Sequence, residues 1–336
     1  MSESPHRFPL DPAGHHHPRL LVSHGENLET HALYDLSKDA YVNIDVPELA
    51  SKQAALASYG WLVLIDFEGE ARRDAPGHHD CGCCLLNIAS GERIRIPHNP
   101  IRDYEYTYES YQCILSGPPT EPDCYLMLFP TQLDNKRLYF CQMGDDFFMP
   151  VDRDFGDGTL SAVSGFGGKT YVWMGNTGRL FELVFYVDPM LDFDFVPLVS
   201  VAEEELSTWP LKPSTTKDFI VESAVDGEIL LVQAVLRMYY NDVAYFRVFR
   251  IIMGKGKEYC VEELTSIGDS ALFLGMHGST ACCCVGDDGS LGVRRNSIYF
   301  YWVDQNLYIY DLEDRSTTPI RPCPVKGSSM FFLSWV

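Results

Sequence analysis

The densest group of potential metal ligands lies between positions 78 and 84. The group consists of His78, His79, Asp80, Cys81, Cys83 and Cys84. A structural zinc site usually takes two separated ligand pairs of the Cys-x2-Cys kind, whereas one residue separates Cys81 from Cys83 and no second pair is evident. The spacing therefore disfavours zinc. We interpret the segment as a loop that leads into a strand in which Cys84 is buried.

Two other segments resemble phosphate-binding or calcium-binding loops in incomplete form. Residues 165–170 read GFGGKT, but a phosphate loop needs a glycine five residues before Gly168, where Val163 stands, and it must open a helix rather than a strand. Residues 152–158 are rich in Asp, but Gly156 occupies the fifth position of a calcium loop, and Val163 occupies the twelfth, where Glu is required. Neither segment therefore predicts a phosphate or calcium site.

Nucleophilic catalysis is not indicated either. The sequence has no Gly-x-Ser-x-Gly elbow and no Cys/His pair whose local sequence indicates a catalytic pair. The run of three cysteines at 282–284 lies between Thr280 and Val285, which favours a strand of small residues. We expect no catalytic residue, no metal and no cofactor.

The most distinctive segment is the tyrosine-rich run at 103–109. At the two-residue period of a strand, Tyr104, Tyr106 and Tyr108 share one face, and acidic side chains share the other. The tyrosines could be buried aromatic residues of a strand. They could also lie on an exposed edge strand or loop that binds protein. Tyr104, Tyr106 and Tyr108 are therefore candidate protein-binding residues.

Composition and charge restrict the class of partner. The 336 residues carry a formal net charge of −21, which disfavours nucleic acid and anionic membranes as partners. No apolar run approaches the roughly 20 residues of a membrane span, and the N-terminus lacks the pattern of a secretory signal. The odd number of cysteines, 11, and their clustering predict reduced thiols in the cytoplasm or nucleus.

Short apolar or alternating runs, bounded by Gly, Asp, Asn or Pro, recur along the chain from position 19. Examples lie at 60–66, 137–141, 169–174 and 297–302, and their β-branched and aromatic residues indicate strands. One short helical turn is expected near 47–56. The proline-rich residues 1–18 have no apolar period and are interpreted as a flexible tail.

The strands belong to a longer sequence repeat. Copies of a strand–turn–strand unit stand at 20–36, 60–97 and 298–312, and further copies start near 125, 167 and 227. A spacing of roughly 40–50 residues is typical of four-stranded propeller blades. The pattern predicts six or seven blades. A β-sandwich pair is the alternative, which explains the strands but not their recurrence along the whole chain.

A collinear set of motifs resembles the KIB-type β-propeller of plant F-box proteins. The family's opening pattern, GWL followed by NP-sGe-i-LP, is similar to YGWLVL at 59–64 and NIASGERIRIP at 87–97. The later matches are GKTYV at 168–172, VES at 221–223, GEILLV at 227–232, FRVF at 246–249, SIGDSALFLG at 266–275 and NSIYF at 296–300. One departure is Ile88, which stands where the family usually has Pro, so the turn after Asn87 is less rigid.

The resemblance implies a substrate-recognition propeller of the ubiquitin pathway. Family members often begin with a helical F-box that docks a ligase adaptor, but only 18 residues precede the propeller here. Those residues contain Pro5, Pro9, Pro12 and Pro18 and no apolar helical stripe. We therefore expect adaptor docking to be absent and target recognition to be retained.

The sequence thus predicts an all-β chain, a single β-propeller of six or seven four-stranded blades over 19–336. Its expected function is non-catalytic recognition of a protein target in the cytoplasm or nucleus. The alternative is an enzyme or small-molecule binder with its site at the central channel. A perturbed carboxylate at the channel mouth would favour that alternative, and a flat aromatic face would favour protein recognition.

Overall fold

The protein is described by a computed structural model. The described residues are 18–24, 30–36, 38–49, 52–66, 83–87, 90–97, 111–130, 137–152, 158, 160–166, 169–175, 177–186, 192–200, 216–223, 228–237, 242–254, 258–275, 278–284, 293–301, 306–321 and 331–335. They form strands throughout, with one 3-10 turn at Pro47–Leu49. Within these ranges, no helix is long and apolar enough to cross a membrane.

The first three blades hold the strands of the N-terminal half. Blade 1 contains β1 (Leu20–His24), β2 (Thr30–Asp35) and β3 (Ala40–Ile44). Blade 2 contains β4 (Lys52–Ser58), β5 (Trp61–Asp66), β6 (Cys84–Asn87) and β7 (Arg93–Arg95). Blade 3 contains β8 (Tyr111–Leu115), β9 (Tyr125–Pro130), β10 (Arg137–Gln142) and β11 (Met149–Asp152). Within each blade, strands adjacent in sequence pair antiparallel.

The remaining blades include two sheets of five strands. Blade 4 contains β12 (Leu160–Phe166), β13 (Lys169–Met174), β14 (Arg179–Tyr186) and β15 (Asp192–Pro197). Blade 5 contains β16 (Val199–Ser200), β17 (Thr216–Glu222), β18 (Ile229–Arg237), β19 (Asp242–Met253) and β20 (Glu258–Leu264). Blade 6 contains β21 (Ser270–Leu274), β22 (Ser279–Cys283), β23 (Ser297–Tyr301), β24 (Leu307–Asp311) and β25 (Thr317–Arg321).

The last strand closes the ring. β26 (Phe331–Trp335) returns to blade 1 and pairs antiparallel with β1, with Leu20 opposite Trp335 and His24 opposite Phe331. The strands β26, β4, β8, β12, β17 and β22 then lie side by side in this order around the centre. Both ends of the described chain therefore share one blade.

Each pair of neighbouring blades encloses its own hydrophobic cluster, and the two-residue period of the strands divides side chains between clusters. In β9, Leu126 and Leu128 pack toward blade 2, whereas Tyr125, Met127 and Phe129 pack toward blade 4. The same division recurs around the ring in six clusters. Stacking blade on blade is therefore what buries the core.

The predicted all-β propeller is confirmed, with six blades, two of them five-stranded. The helical turn lies within the expected range, but most of the rest of that range is the inner strand β4. The copies assigned to 125, 167 and 227 began one strand late, because β8, β12 and β17 precede them as inner strands. Apart from Pro18, the predicted tail at 1–18 lies outside the described residues.

Candidate protein-docking face

One face of the ring is defined by the ends of the inner strands of blades 2 to 5. A Cβ atom on Gly165, near the end of β12, would lie 3.8 Å from Cδ1 of Ile114 in β8 and 3.9 Å from the hydroxyl of Tyr59, which follows β4. Glu222, the last residue of β17, also acts electrostatically on Tyr59. These strands thus end at the same side. Because the blades are antiparallel meanders, the turns after their first and third strands lie there too, and we call this side the turn face.

Exposed apolar side chains are concentrated on the turn face. Eight large hydrophobic side chains of the described residues are exposed. Six of them lie at strand ends or turns of this face, namely Tyr59, Phe147, Met149, Tyr186, Ile252 and Met253. The other two, Val42 and Tyr245, lie within strands of blades 1 and 5. Single exposed apolar residues are ordinary, so their concentration on one face is the informative feature.

Blade 3 contributes two adjoining loops to the turn face, residues 116–124 and 143–149, which we call the acidic platform. Each contains two carboxylates, and neither contains Lys or Arg. Glu121, Asp123, Asp145 and Asp146 are all exposed. Phe147 is the most exposed of the large hydrophobic side chains, at 64%. The platform therefore combines negative charge with an apolar group available for contact.

Hydrogen bonds hold the two loops of the platform against each other. The side-chain amide of Gln142 donates to the carbonyl of Pro122 at 2.6 Å, and the N–H of Met143 donates to the carbonyl of Cys124 at 3.2 Å. Asp145 accepts the backbone N–H of Gln142 at 2.8 Å, which closes the second loop on itself. The platform is therefore an ordered surface rather than two independent loops.

Tyr59 links the platform to the mouth of the central channel. It occupies the first central position of the two-residue turn between β4 and β5, where its φ is +52° and that of Gly60 is +77°. Such a turn favours Asn-Gly, and a bulky residue with positive φ is strained. Burial raises the pKa of the Tyr59 phenol, and Cys124, Glu121 and Glu222 raise it further. The side chain thus lies among residues of blades 3 and 5.

Side chains from blade 2 reach across the centre of the ring near the turn face. Besides the approach of Tyr59 to Gly165 in blade 4, Cδ1 of Leu56 would lie 3.8 Å from a Cβ atom on Gly278 in blade 6. Blade 2 adjoins neither of these blades in the ring. The centre is therefore narrow at this level, which disfavours a wide ligand site opening there.

The most perturbed carboxyl group lies between blades rather than at the channel mouth. Asp218 in β17 is 3% exposed, and burial raises its pKa to about 6 against the lowering effect of hydrogen bonds from Gln233, Trp173 and Ser161. The Gln233 amide donates at 3.1 Å. A Cβ atom on Gly175 would lie 2.6 Å from the Asp218 carboxylate, so the backbone of β13's turn packs directly against it. The cluster joins blades 4 and 5 and serves packing.

The described cysteines do not form a metal site. Nine cysteines within the described ranges are free thiols, and these ranges hold no group of three or more His, Cys, Asp or Glu side chains able to bind a metal ion. Of the predicted strand at 282–284, Cys282 and Cys283 lie in β22 and Cys284 follows its end, and Cys84 is buried at the start of β6 as predicted. His78 to Cys81, the remainder of the candidate zinc segment, lie outside the described residues.

The sequence-predicted binding residues and the structural candidates do not coincide. Tyr104, Tyr106 and Tyr108 lie outside the described residues, between β7 and β8. The acidic platform and Tyr59 were not identified as a site from sequence. The available signal was the pair of turns SGPPTEPDC and MGDDFFM, which place carboxylates and apolar residues together without a basic residue.

Two solved structures are distantly similar to the chain. The chain is 9% identical to a chain in a Saccharomyces cerevisiae structure of Dbp5 bound to Nup159, Gle1, IP6 and ADP, with a TM-score of 0.38 and coverage of 89% of this chain and 71% of that one. It is 11% identical to a DUF4784 family protein from Bacteroides caccae, with a TM-score of 0.34 and coverage of 90% and 70%. No curated protein matches the chain.

The family model described as "KIB1-4 beta-propeller" matches residues 33–321. This match spans blades 1 to 6 from β2 to β25 and agrees with the sheet topology. It also agrees with the motifs at 59–64, 87–97 and 296–300 that suggested the family. The chain belongs to the KIB1-4 β-propeller family.

Proposed function

We propose that this propeller is a non-catalytic recognition module that binds a protein target through its turn face. The observation that carries the proposal is the presence of six of the eight exposed large hydrophobic side chains on that face. Exposed apolar side chains grouped on one face favour a protein-binding site, and aromatic residues and Met are enriched at the centres of such sites. A ring of stacked blades supplies the rigid support on which loops can bind without a large ordering cost.

The proposal extends to the cellular setting. Membership of the KIB1-4 family supports a target handled by the ubiquitin pathway in the cytoplasm or nucleus. In this proposal the propeller contributes the recognition of the target. The net charge of −21 supports a protein rather than a nucleic acid or an anionic membrane as partner.

A catalytic or small-molecule site at the central channel is less well supported. Leu56 and Tyr59 of blade 2 reach residues on non-adjacent blades near the turn face, which narrows the centre there. The carboxyl group with the largest pKa shift, Asp218, packs against Ser161 and Gly175 between blades 4 and 5. Neither feature resembles a concave site with convergent polar groups.

Affinity purification with the full chain and matched variants tests the proposal. Quantitative mass spectrometry compares the partners of the tagged wild-type protein with those of two variants. The turn-face variant carries both Phe147→Ser and Met253→Ser, and the control carries Tyr245→Ser, at an exposed residue outside the turn-face set. Partners should be lost from the turn-face variant by roughly tenfold or more and retained by the control, since central apolar anchors carry most binding energy. Identical partners for all three proteins would contradict the proposed face.

A further inference from the structure

We infer that the acidic platform of blade 3 is the docking position on the turn face, and that its occupant is a Lys- or Arg-bearing segment with an apolar anchor. The inference rests on the proposed function and specifies the surface and the chemistry of the partner. It is carried by the exposed side chains of Phe147 and Met149, by the order of the two loops, and by the charge around them.

The apolar part of the platform is fixed in position. Phe148 is buried in the cluster between blades 2 and 3, where Met143 packs against it, while the adjacent Phe147 is 64% exposed. Alternation along the chain therefore turns Phe147 away from the core. Met149, which begins β11, is 44% exposed. A rigid aromatic ring with a flexible thioether nearby suits contact with an apolar side chain of a partner.

The charged part of the platform is continuous across the two loops. Burial raises the pKa of the Tyr125 phenol, and Asp123 from one loop and Asp145 from the other raise it further, so both carboxylates lie near one hydroxyl. Glu121 also raises the pKa of Tyr59 at the channel mouth, and Glu222 of blade 5 adds to this negative electrostatic effect. The negative surface thus extends from the channel mouth outward over blade 3.

Charge complementarity selects the occupant. The 16 residues of 116–124 and 143–149 carry four carboxylates and no Lys or Arg. An acidic or phosphorylated partner would be repelled, and an unassisted apolar segment would leave the carboxylates without counter-charges. The Lys or Arg side chains of a basic segment can pair with these carboxylates at the edge of the interface, while its apolar anchor contacts Phe147. A basic occupant also associates faster with a chain whose net charge is −21.

A peptide-display experiment can identify the chemistry without knowledge of the natural target. The full chain is immobilised and a library of random 12-residue peptides is selected on it. Selection uses the wild-type protein alone, and a platform variant with three reversed charges, Glu121→Lys, Asp123→Lys and Asp146→Lys, is kept for the binding measurements. Asp145 is left in place because it accepts the Gln142 N–H within its own loop.

Three variants then locate the site for the enriched peptides. Affinity is measured by fluorescence polarisation for the wild type, the triple variant and Phe147→Ala. The control is the double variant Glu313→Lys with Tyr245→Ala, whose residues lie in the turn after β24 of blade 6 and near the start of β19. We expect peptides with net positive charge and an aromatic or aliphatic residue. Binding should weaken on the order of 30-fold in the triple variant and roughly tenfold in Phe147→Ala, remain unchanged in the control, and decline with added salt. Thermal unfolding of each variant establishes that the proteins are folded.

The alternative outcomes separate the two proposals. Enrichment of acidic or neutral peptides would overturn the basic occupant. Basic peptides that bind the Phe147→Ala and triple variants as well as the wild type would overturn the platform as the site, while leaving recognition by another part of the turn face. Failure to enrich any peptide, together with unchanged partners for the Phe147→Ser and Met253→Ser variant in affinity purification, would overturn both.

Discussion

Replacing Asp218 by Asn should change how the stability of the propeller depends on pH. The Asp218 carboxyl is 3% exposed, and burial raises its pKa to about 6 from an ordinary value of 3.8. Because the folded state holds the proton more tightly, it binds more protons than the unfolded state between these values. The contribution of Asp218 to stability is therefore fully present below pH 3.8 and is lost as pH rises through about 6.

The magnitude follows from the shift. The difference of 2.2 between about 6 and 3.8 corresponds to a total loss of about 3 kcal/mol, at 1.36 kcal/mol per pKa unit. Over the practical window from pH 4.5 to 7.5, the same two values give about 2 kcal/mol. Asn keeps the shape and a hydrogen-bond acceptor for Gln233 but cannot ionise. The stability of Asp218→Asn relative to the wild type should therefore rise by about 2 kcal/mol across this window.

Urea unfolding followed by tryptophan fluorescence measures this difference, since Trp173 contacts Asp218. Asp194→Asn, an exposed carboxylate in β15, is the matched control and should follow the wild type at every pH. A pH-independent offset added to this rise would reflect an imperfect amide contact and leaves the raised pKa of Asp218 standing. A difference between the two proteins that stays constant from pH 4.5 to 7.5 would refute the raised pKa.

Substitutions at three further positions test the contacts between blades and the strained turn. Gly175→Ala should lower the free energy of unfolding by about 2–4 kcal/mol in urea unfolding, because its Cβ would lie 2.6 Å from Asp218 and against Ser161; a neutral effect would contradict the close packing. Gln112→Ala should cost about 1–3 kcal/mol by the same measurement, since its amide donates at 3.0 Å to the carbonyl of Ser161 in the next inner strand. Tyr59→Asn should be more stable than Tyr59→Ala by about 1 kcal/mol, because Asn tolerates positive φ, and both should bind selected peptides less tightly than the wild type; equal stabilities would argue against strain.

Local sequence pattern was sufficient to predict the strands that fill the core. β5 and β9 are continuous runs of apolar residues whose alternate side chains enter two different clusters, which is what a strand buried on both faces requires. Gly60, at the start of the predicted strand run 60–66, lies in the tight turn before β5, where its φ is +77°. These features, repeated along the chain, were enough to predict a ring of blades.

The inner strand β4 was harder to predict because its composition is atypical. β4 reads KQAALAS, and Ala and Lys are depleted in strands, so the sequence here indicated a helical turn rather than a strand. Near the axis the blades approach closely, and small side chains such as Ala54 fit there. Tertiary packing, rather than intrinsic preference, determines the conformation of β4. This explains why the predicted copy at 60–97 began at β5 rather than at β4.

Strand pairing in blades 5 and 6 also depends on contacts that the sequence pattern does not encode. β16 pairs in parallel with β20, and β21 pairs in parallel with β23, so each of these sheets gains a fifth strand. A strand pattern specifies which residues are apolar but not which neighbour completes the sheet. The sequence therefore predicts six or seven blades, and the strand pairing gives six.

The fold is easier to predict from sequence than the site, because the core residues follow the strand period and the loop residues do not. Each blade is held by two independent hydrophobic clusters, one on each face, so the ring does not depend on the loops that cross its ends. The platform loops are consequently free to carry exposed carboxylates and Phe147 without weakening the stack. Loop residues selected for contact with a partner follow no structural period, and they become recognisable only when the ring brings 116–124 beside 143–149. Substitutions on the platform should therefore alter recognition while leaving the propeller intact, whereas substitutions at the Asp218 cluster should act on stability first.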